Sequence, residues 1–136
     1  MKEITLTREK LLEQRRELMA SLKYASFIQR AVLPDQKYME NLFKEFFIFH
    51  QPRDIVSGDF YYCSRKEDYI VVAVGDCTGH GVPGALLSIM GISFLNEILS
   101  FRGTIRSSRI LNLLRVRVMK ALHQNGFELE NKDAMD

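Results

Sequence analysis

Two strand-forming segments separated by only four polar residues constrain the fold of this 136-residue chain more than any other feature. Residues 60–64 begin with three aromatic side chains, and residues 69–75 are almost all β-branched or apolar. The connection between them, residues 65–68, is too short for a crossover, so we predict an antiparallel hairpin. If its register is symmetric, residues equally distant from the turn face one another, and Asp59 lies opposite Asp76.

A helical pattern precedes the hairpin. Between Glu3 and Leu33 apolar residues recur every seven positions, and Pro34 ends the pattern. The repeated positions are Ile4, Leu11, Leu18, Ala25 and Val32. Residues 1–34 therefore form either a coiled-coil linker helix that dimerises or an amphipathic helix that lies on its own domain.

The remaining residues, 35–136, indicate a mixture of strands and helices. The aromatic run that ends before Pro52 predicts a buried strand over residues 45–51. One helix is expected from Pro83 to about residue 100, and another, capped by Thr104, to about residue 124. A further strand is expected to begin at Phe127, so the prediction is an α+β fold with antiparallel strands and two packed helices behind a long N-terminal helix.

Composition excludes several classes of protein. A chain with 46% hydrophobic and 26% charged residues can bury a core without disulfides, and its two cysteines are expected to be free thiols in a reducing cytoplasm. No signal-peptide core is present, and the longest uncharged run, residues 81–96, falls short of a membrane span. The net charge of +2 is small, and the basic residues of the last helix lack interleaved aromatic residues, so we expect a solvated face and no nucleic-acid partner.

The facing carboxylates are the candidate site. Like charges in direct opposition destabilise a hairpin unless a cation lies between them or one carboxylate takes up a proton. The pair is therefore either a metal site or two exposed carboxylates at a strand end. Small residues flank both aspartates, Gly58 before Asp59 and Gly75 before Asp76, so backbone groups can approach a ligand. Oxygen donors of this kind suit Mg²⁺ or Mn²⁺, whereas the three scattered histidines do not match a zinc motif.

A second interpretation of the same region is a dinucleotide site. Residues 79–84 match the pattern GxGxxG between a strand and a helix. Three residues separate the strand from the first glycine, and no strand ending in an acidic residue follows at the distance that a ribose contact requires. The metal interpretation is therefore favoured.

The segments around the two aspartates resemble the SpoIIE-like branch of the PPM-type protein phosphatases. The similarity covers residues 54–61, DIVSGDFY, and residues 76–85, DCTGHGVPGA. It extends upstream to residues 28–34, IQRAVLP, and downstream to residues 132–136, KDAMD. The resemblance implies a β-sandwich flanked by helices, two Mn²⁺ or Mg²⁺ ions, and hydrolysis of phosphoserine or phosphothreonine on a partner protein, often an anti-sigma-factor antagonist.

The resemblance also implies roles for individual residues. Asp59 and Asp76 would be metal ligands, and the backbone carbonyl of Cys77 would complete the shell of the second ion. His80 would either donate a proton to the leaving serine oxygen or fix the glycine-rich turn. Arg53 is expected to hold the substrate phosphate. The N-terminal helix would transmit a signal to the phosphatase and join two copies in a homodimer.

Two departures from the family pattern qualify this interpretation. Ala134 stands where the pattern has glycine, and the sequence ends at Asp136, before the second half of the sandwich and its remaining metal-binding aspartate. Residues 35–136 thus correspond to the N-terminal portion of a truncated domain. The alternative function is a non-catalytic interaction module that dimerises through residues 4–33 and pairs with a partner through its open sheet.

Overall fold

The computed structural model describes residues 2–101, 103 and 106–123. It contains four helices and two strands within those residues: α1 (Lys2–Val32), α2 (Gln36–Leu42), β1 (Phe60–Lys66), β2 (Tyr69–Gly75), α3 (Gly81–Ser100) and α4 (Ser107–Ala121). The sequence prediction of an α+β fold behind a long N-terminal helix is confirmed. The expected cap Thr104, the strand expected from Phe127 and the segment 132–136 lie outside the described residues.

The β1–β2 hairpin has the symmetric register that the sequence predicted. Its antiparallel ladder runs from the pair Phe60 and Gly75 to the pair Lys66 and Tyr69. The chain reverses in between, where Glu67 takes a left-handed φ of 54°. Gly75 is required at the other end of the ladder, because the Phe60 ring occupies the space that a Cβ atom would need.

One face of the hairpin packs against α3, and α3 packs against α4. Helix α3 is apolar nearly all round, as expected of a helix that lies in a core. Its length and its mean hydropathy of 1.6 over an 18-residue window would also permit a membrane span, but half of that window is buried within this fold. The core cluster comprises Phe60, Tyr62, Cys77, Leu87, Ile92, Leu95, Ile98, Leu99 and Ile110.

On the opposite face of the hairpin, the described residues cover Cys63 of β1 but leave the side chains of β2 uncovered. Val74 is 82% exposed, and Val72 is 59% exposed. The aromatic segment over residues 45–51 is also exposed: Phe47 is 91% exposed, and Phe49 is 83% exposed. The predicted buried strand over residues 45–51 is therefore wrong for the described structure, because no neighbouring strand pairs with that segment there.

Helix boundaries differ from the sequence predictions in three places. Helix α2 was not predicted, although Asp35 caps it by accepting a hydrogen bond from the Tyr38 N–H at 2.8 Å. Helix α3 begins at Gly81, so Pro83 lies in its first turn, where a proline is tolerated. Helix α4 begins at Ser107 after the cap residue Arg106.

Gln29 fastens α1 to the rest of the fold. Its side-chain amide donates to the carbonyl of Ser57 and to the hydroxyl of Ser88 at 2.8 Å, and its oxygen accepts from the Ser57 N–H at 3.0 Å. Ser88 lies on α3, and its own hydroxyl is within 2.9 Å of the Ala85 carbonyl. All three linked side chains are buried, so this cluster joins α1, α3 and the loop before β1.

We expect replacement of Gln29 by methionine to destabilise the protein by about 1–3 kcal/mol, because the buried Ser57 N–H loses its partner and the Ser57 carbonyl keeps only the Ser88 hydroxyl, at 3.3 Å. Urea unfolding measures the change. Gln36→Met is the matched control, since the Gln36 amide binds only Glu40 on the surface, and its effect should stay within about 0.5 kcal/mol. Equal stabilities for the two variants would contradict the role given to Gln29.

Candidate functional site

The two predicted acidic residues meet at the open end of the hairpin. Asp59 directly precedes β1 and Asp76 directly follows β2, so the confirmed register places them opposite each other. A hydrogen bond that the protonated Asp76 carboxyl group donates to the Asp59 carboxylate, together with the negative charge of Asp59, raises the pKa of Asp76. Both side chains are exposed. The hairpin therefore holds two carboxyl groups in contact at a solvent-accessible position.

This contact fits a divalent cation better than it fits an empty strand end. Two ionised carboxylates in contact repel each other, and a hard cation between them removes that repulsion while using the oxygen donors it prefers. Among the described residues, however, no group of three or more His, Cys, Asp and Glu side chains surrounds a common point. A cation bound between Asp59 and Asp76 would therefore need further ligands, and the role of each aspartate as a ligand stays a prediction.

Close backbone packing shapes the loop beside the carboxylates. A Cβ atom on Gly58 would lie 2.8 Å from the Cys77 carbonyl oxygen and 3.0 Å from the Gly79 carbonyl oxygen. A Cβ atom on Gly84 would lie 2.8 Å from the same Gly79 oxygen. Only glycine permits this approach at both positions. The loop after β2 and the first turn of α3 are therefore fixed against the residue that precedes Asp59.

Cys77 presents its backbone and not its thiol to this region. Its carbonyl oxygen lies against Gly58, the residue before Asp59, and its role as a metal ligand stays a prediction. Its side chain is buried in the core, and burial, together with the charges of Asp76 and Asp59, raises the pKa of the thiol to about 12. Because the thiolate is the nucleophilic form, the Cys77 thiol is inert near neutral pH.

His80 occupies the cap position of α3 but makes no side-chain hydrogen bond to the helix. Its Nδ1 atom instead lies 3.1 Å from the Asp54 Oδ2 atom. Arg53, the predicted phosphate-binding residue, is exposed and directly precedes Asp54 in the chain. The structure therefore brings Asp54 to the turn that carries His80, and the roles of Arg53 and His80 stay predictions.

Sequence reasoning gave no role to Asp54 or to His50. Asp54 lies 26 residues from His80, and no spacing rule connects the two. His50 stacks edge-on against Tyr61, with the ring centroids 5.8 Å apart, and its Nε2 atom lies 3.1 Å from the Asp59 carbonyl oxygen. The contacts of Asp54 and His50 depend on the conformation of the loop before β1, and the sequence pattern does not predict that conformation.

Comparison with known proteins finds no matching family model and no matching curated protein. Among solved structures, the chain is similar to the SiaA-PP2C domain of Pseudomonas aeruginosa, with a TM-score of 0.78 and 33% sequence identity. The match covers 90% of this chain and 48% of the solved chain, so this chain spans about half the length of that structure. This similarity supports the interpretation of the chain as a fragment of a PPM-type, or PP2C, phosphatase domain.

Proposed function

We propose that this protein is the N-terminal part of a metal-dependent phosphatase, of the SpoIIE-like branch, that hydrolyses phosphoserine or phosphothreonine on a regulatory protein. The contact between Asp59 and Asp76 carries this proposal, because it concentrates negative charge where a divalent cation can bind. Two carboxylates and one carbonyl do not fill the shells of two cations, so further ligands must complete the site.

The residues of the site have distinct roles in this proposal. Asp59, Asp76 and the Cys77 carbonyl hold Mn²⁺ or Mg²⁺, which would activate water and neutralise the charge of the phosphate. Arg53 binds the phosphate oxygens through its guanidinium group. His80 donates a proton to the serine or threonine oxygen as the P–O bond breaks, and the products are the free hydroxyl side chain and inorganic phosphate.

The proposed setting is bacterial signalling in the cytoplasm, with an anti-sigma-factor antagonist as a candidate phosphoprotein. The motif resemblance supports this setting. In the same proposal α1 passes a signal to the catalytic region, and the Gln29 bonds to Ser57 support it, since Ser57 lies only two residues before Asp59.

A second candidate function is a non-catalytic module that dimerises through α1. The N-terminal part of this helix carries apolar side chains that the described fold does not cover, including Ile4 at 75%, Leu11 at 60% and Leu18 at 61% exposure. A second copy of the chain, placed alongside as a coiled coil, would bury them. Homodimerisation through α1 is compatible with either function.

Metal binding is tested by thermal unfolding. We expect Mn²⁺ to raise the Tm of the protein, because the cation binds the folded hairpin and offsets the repulsion between Asp59 and Asp76. Asp76→Asn should raise the Tm without metal and abolish the response to Mn²⁺. Asp68→Asn, at the far end of the hairpin, is the control and should keep the full response. If Asp76→Asn keeps the full Tm increase with Mn²⁺, the metal does not bind at this site.

Catalysis is tested with a chromogenic phosphoester in the presence of Mn²⁺. We expect Asp59→Asn and Asp76→Asn each to abolish manganese-dependent turnover, because each removes a charged metal ligand, while Asp68→Asn keeps it. Turnover that persists in both site variants would contradict the hydrolytic function. Absence of turnover in the unmodified chain would contradict it as well and would favour the interaction module.

Dimerisation is tested by sedimentation of the full chain. We expect a mass about twice the 15.8 kDa of one chain, and we expect Leu11→Glu with Leu18→Glu to give the monomer, since charges replace exposed apolar contacts. Leu111→Glu on α4, where Leu111 is 62% exposed, is the matched control and should leave the mass unchanged. A monomeric unmodified chain would rule out the homodimer.

A further inference from the structure

The geometry points to Asp54 as a positioning residue for His80. We propose that the Asp54 carboxylate accepts a hydrogen bond from the His80 Nδ1–H and so leaves the Nε2 atom as the proton donor to the leaving oxygen. This inference rests on the proposed hydrolysis and adds a residue to its site. The 3.1 Å separation between Nδ1 and Oδ2 is the observation that carries it.

The contact between Asp54 and His80 serves orientation more than stability. The two side chains are 45% and 69% exposed, and ion pairs as accessible as this one contribute little to the free energy of unfolding. An imidazole ring nevertheless needs one defined orientation to act as a proton donor, and a carboxylate on one nitrogen fixes both the ring and the atom that carries the proton.

Asp54 and His80 both lie next to residues whose backbone is packed or hydrogen-bonded. Asp54 lies close to Val56, which is 2% exposed, and to Ser57, which Gln29 holds through two hydrogen bonds. His80 lies between Gly79 and the start of α3, in the loop that packs against Gly58. The residues that carry the two side chains are therefore close in sequence to the backbone contacts that surround Asp59.

The His80 side chain does not cap α3. A residue at the cap position of a helix commonly accepts a hydrogen bond from the first turn, but the His80 side chain makes no such bond to α3. Its one hydrogen bond given by the structure joins it to Asp54. Among the described residues no partner of its second nitrogen is given, which leaves that nitrogen for a ligand in this proposal.

The proton transfer balances as follows. Water attacks the phosphorus atom, the bond from phosphorus to the serine oxygen breaks with its electron pair on that oxygen, and the oxygen takes the proton from the Nε2 atom of the His80 imidazolium. His80 is left neutral, with its remaining proton on Nδ1 facing Asp54. The attacking water releases one proton to solvent. His80 takes up one proton from solvent before the next turnover, so the protons balance.

The first test reads the His80 ring nitrogens by ¹⁵N NMR of the full chain without metal, at about pH 9, where an ordinary imidazole is neutral. We expect the Nδ1–H form in the unmodified chain and a mixture of both forms in Asp54→Asn, whose amide can donate as well as accept. Asp68→Asn is the control, and His80→Gln assigns the signals. Identical His80 signals in the unmodified chain and in Asp54→Asn would overturn the proposal.

The second test compares two leaving groups in the manganese-dependent assay. Phenyl phosphate needs a proton donor and p-nitrophenyl phosphate scarcely does, so we expect Asp54→Asn to slow the first about tenfold and the second less than about twofold. Equal losses on the two esters would overturn the positioning role. If the unmodified chain hydrolyses neither ester, the proposed hydrolysis fails, and the nitrogen signals still decide whether Asp54 orients His80.

Discussion

The register of the β1–β2 hairpin is the constraint on which the candidate site depends. Successive residues of a strand point to opposite faces, so a slip of one residue would move Asp59 away from Asp76 and would turn Phe60 and Tyr62 out of the core. Burial of these aromatic side chains against α3 therefore fixes the register. The repulsion between the two carboxylates is tolerated because the packing energy of the same strand is far larger than the cost of an exposed like-charge contact.

Contacts between the loops before and after the hairpin fix the residues around Asp59 and Asp76. Gln29 holds the loop before β1 from the side of α1, and Gly58 and Gly84 let the loop after β2 lie directly against it. The loops on either side of the hairpin are thus packed on each other and on the start of α3. The Asp54 contact with His80 belongs to this arrangement, because its two residues come from those two loops.

The described residues leave two apolar surfaces uncovered, one on the hairpin around Val74 and one along the N-terminal part of α1. Exposed apolar surfaces of this extent are typical of interfaces. The chain matches 48% of a solved PP2C domain, and the uncovered hairpin face is in keeping with a chain that represents about half of such a structure.

The sequence by itself determined the local features: the helix that ends before Pro34, the two strands with their short turn, and the symmetric register that pairs Asp59 with Asp76. These follow from residue spacing and from a turn too short to allow another topology. Tertiary structure alone decided the rest. The aromatic segment 45–51 needed a partner strand that the described residues do not supply, and the meeting of Asp54 with His80 required the packing of loops far apart in sequence. Periodicity encodes which face of an element is apolar, but it does not encode which distant backbone will lie against that face.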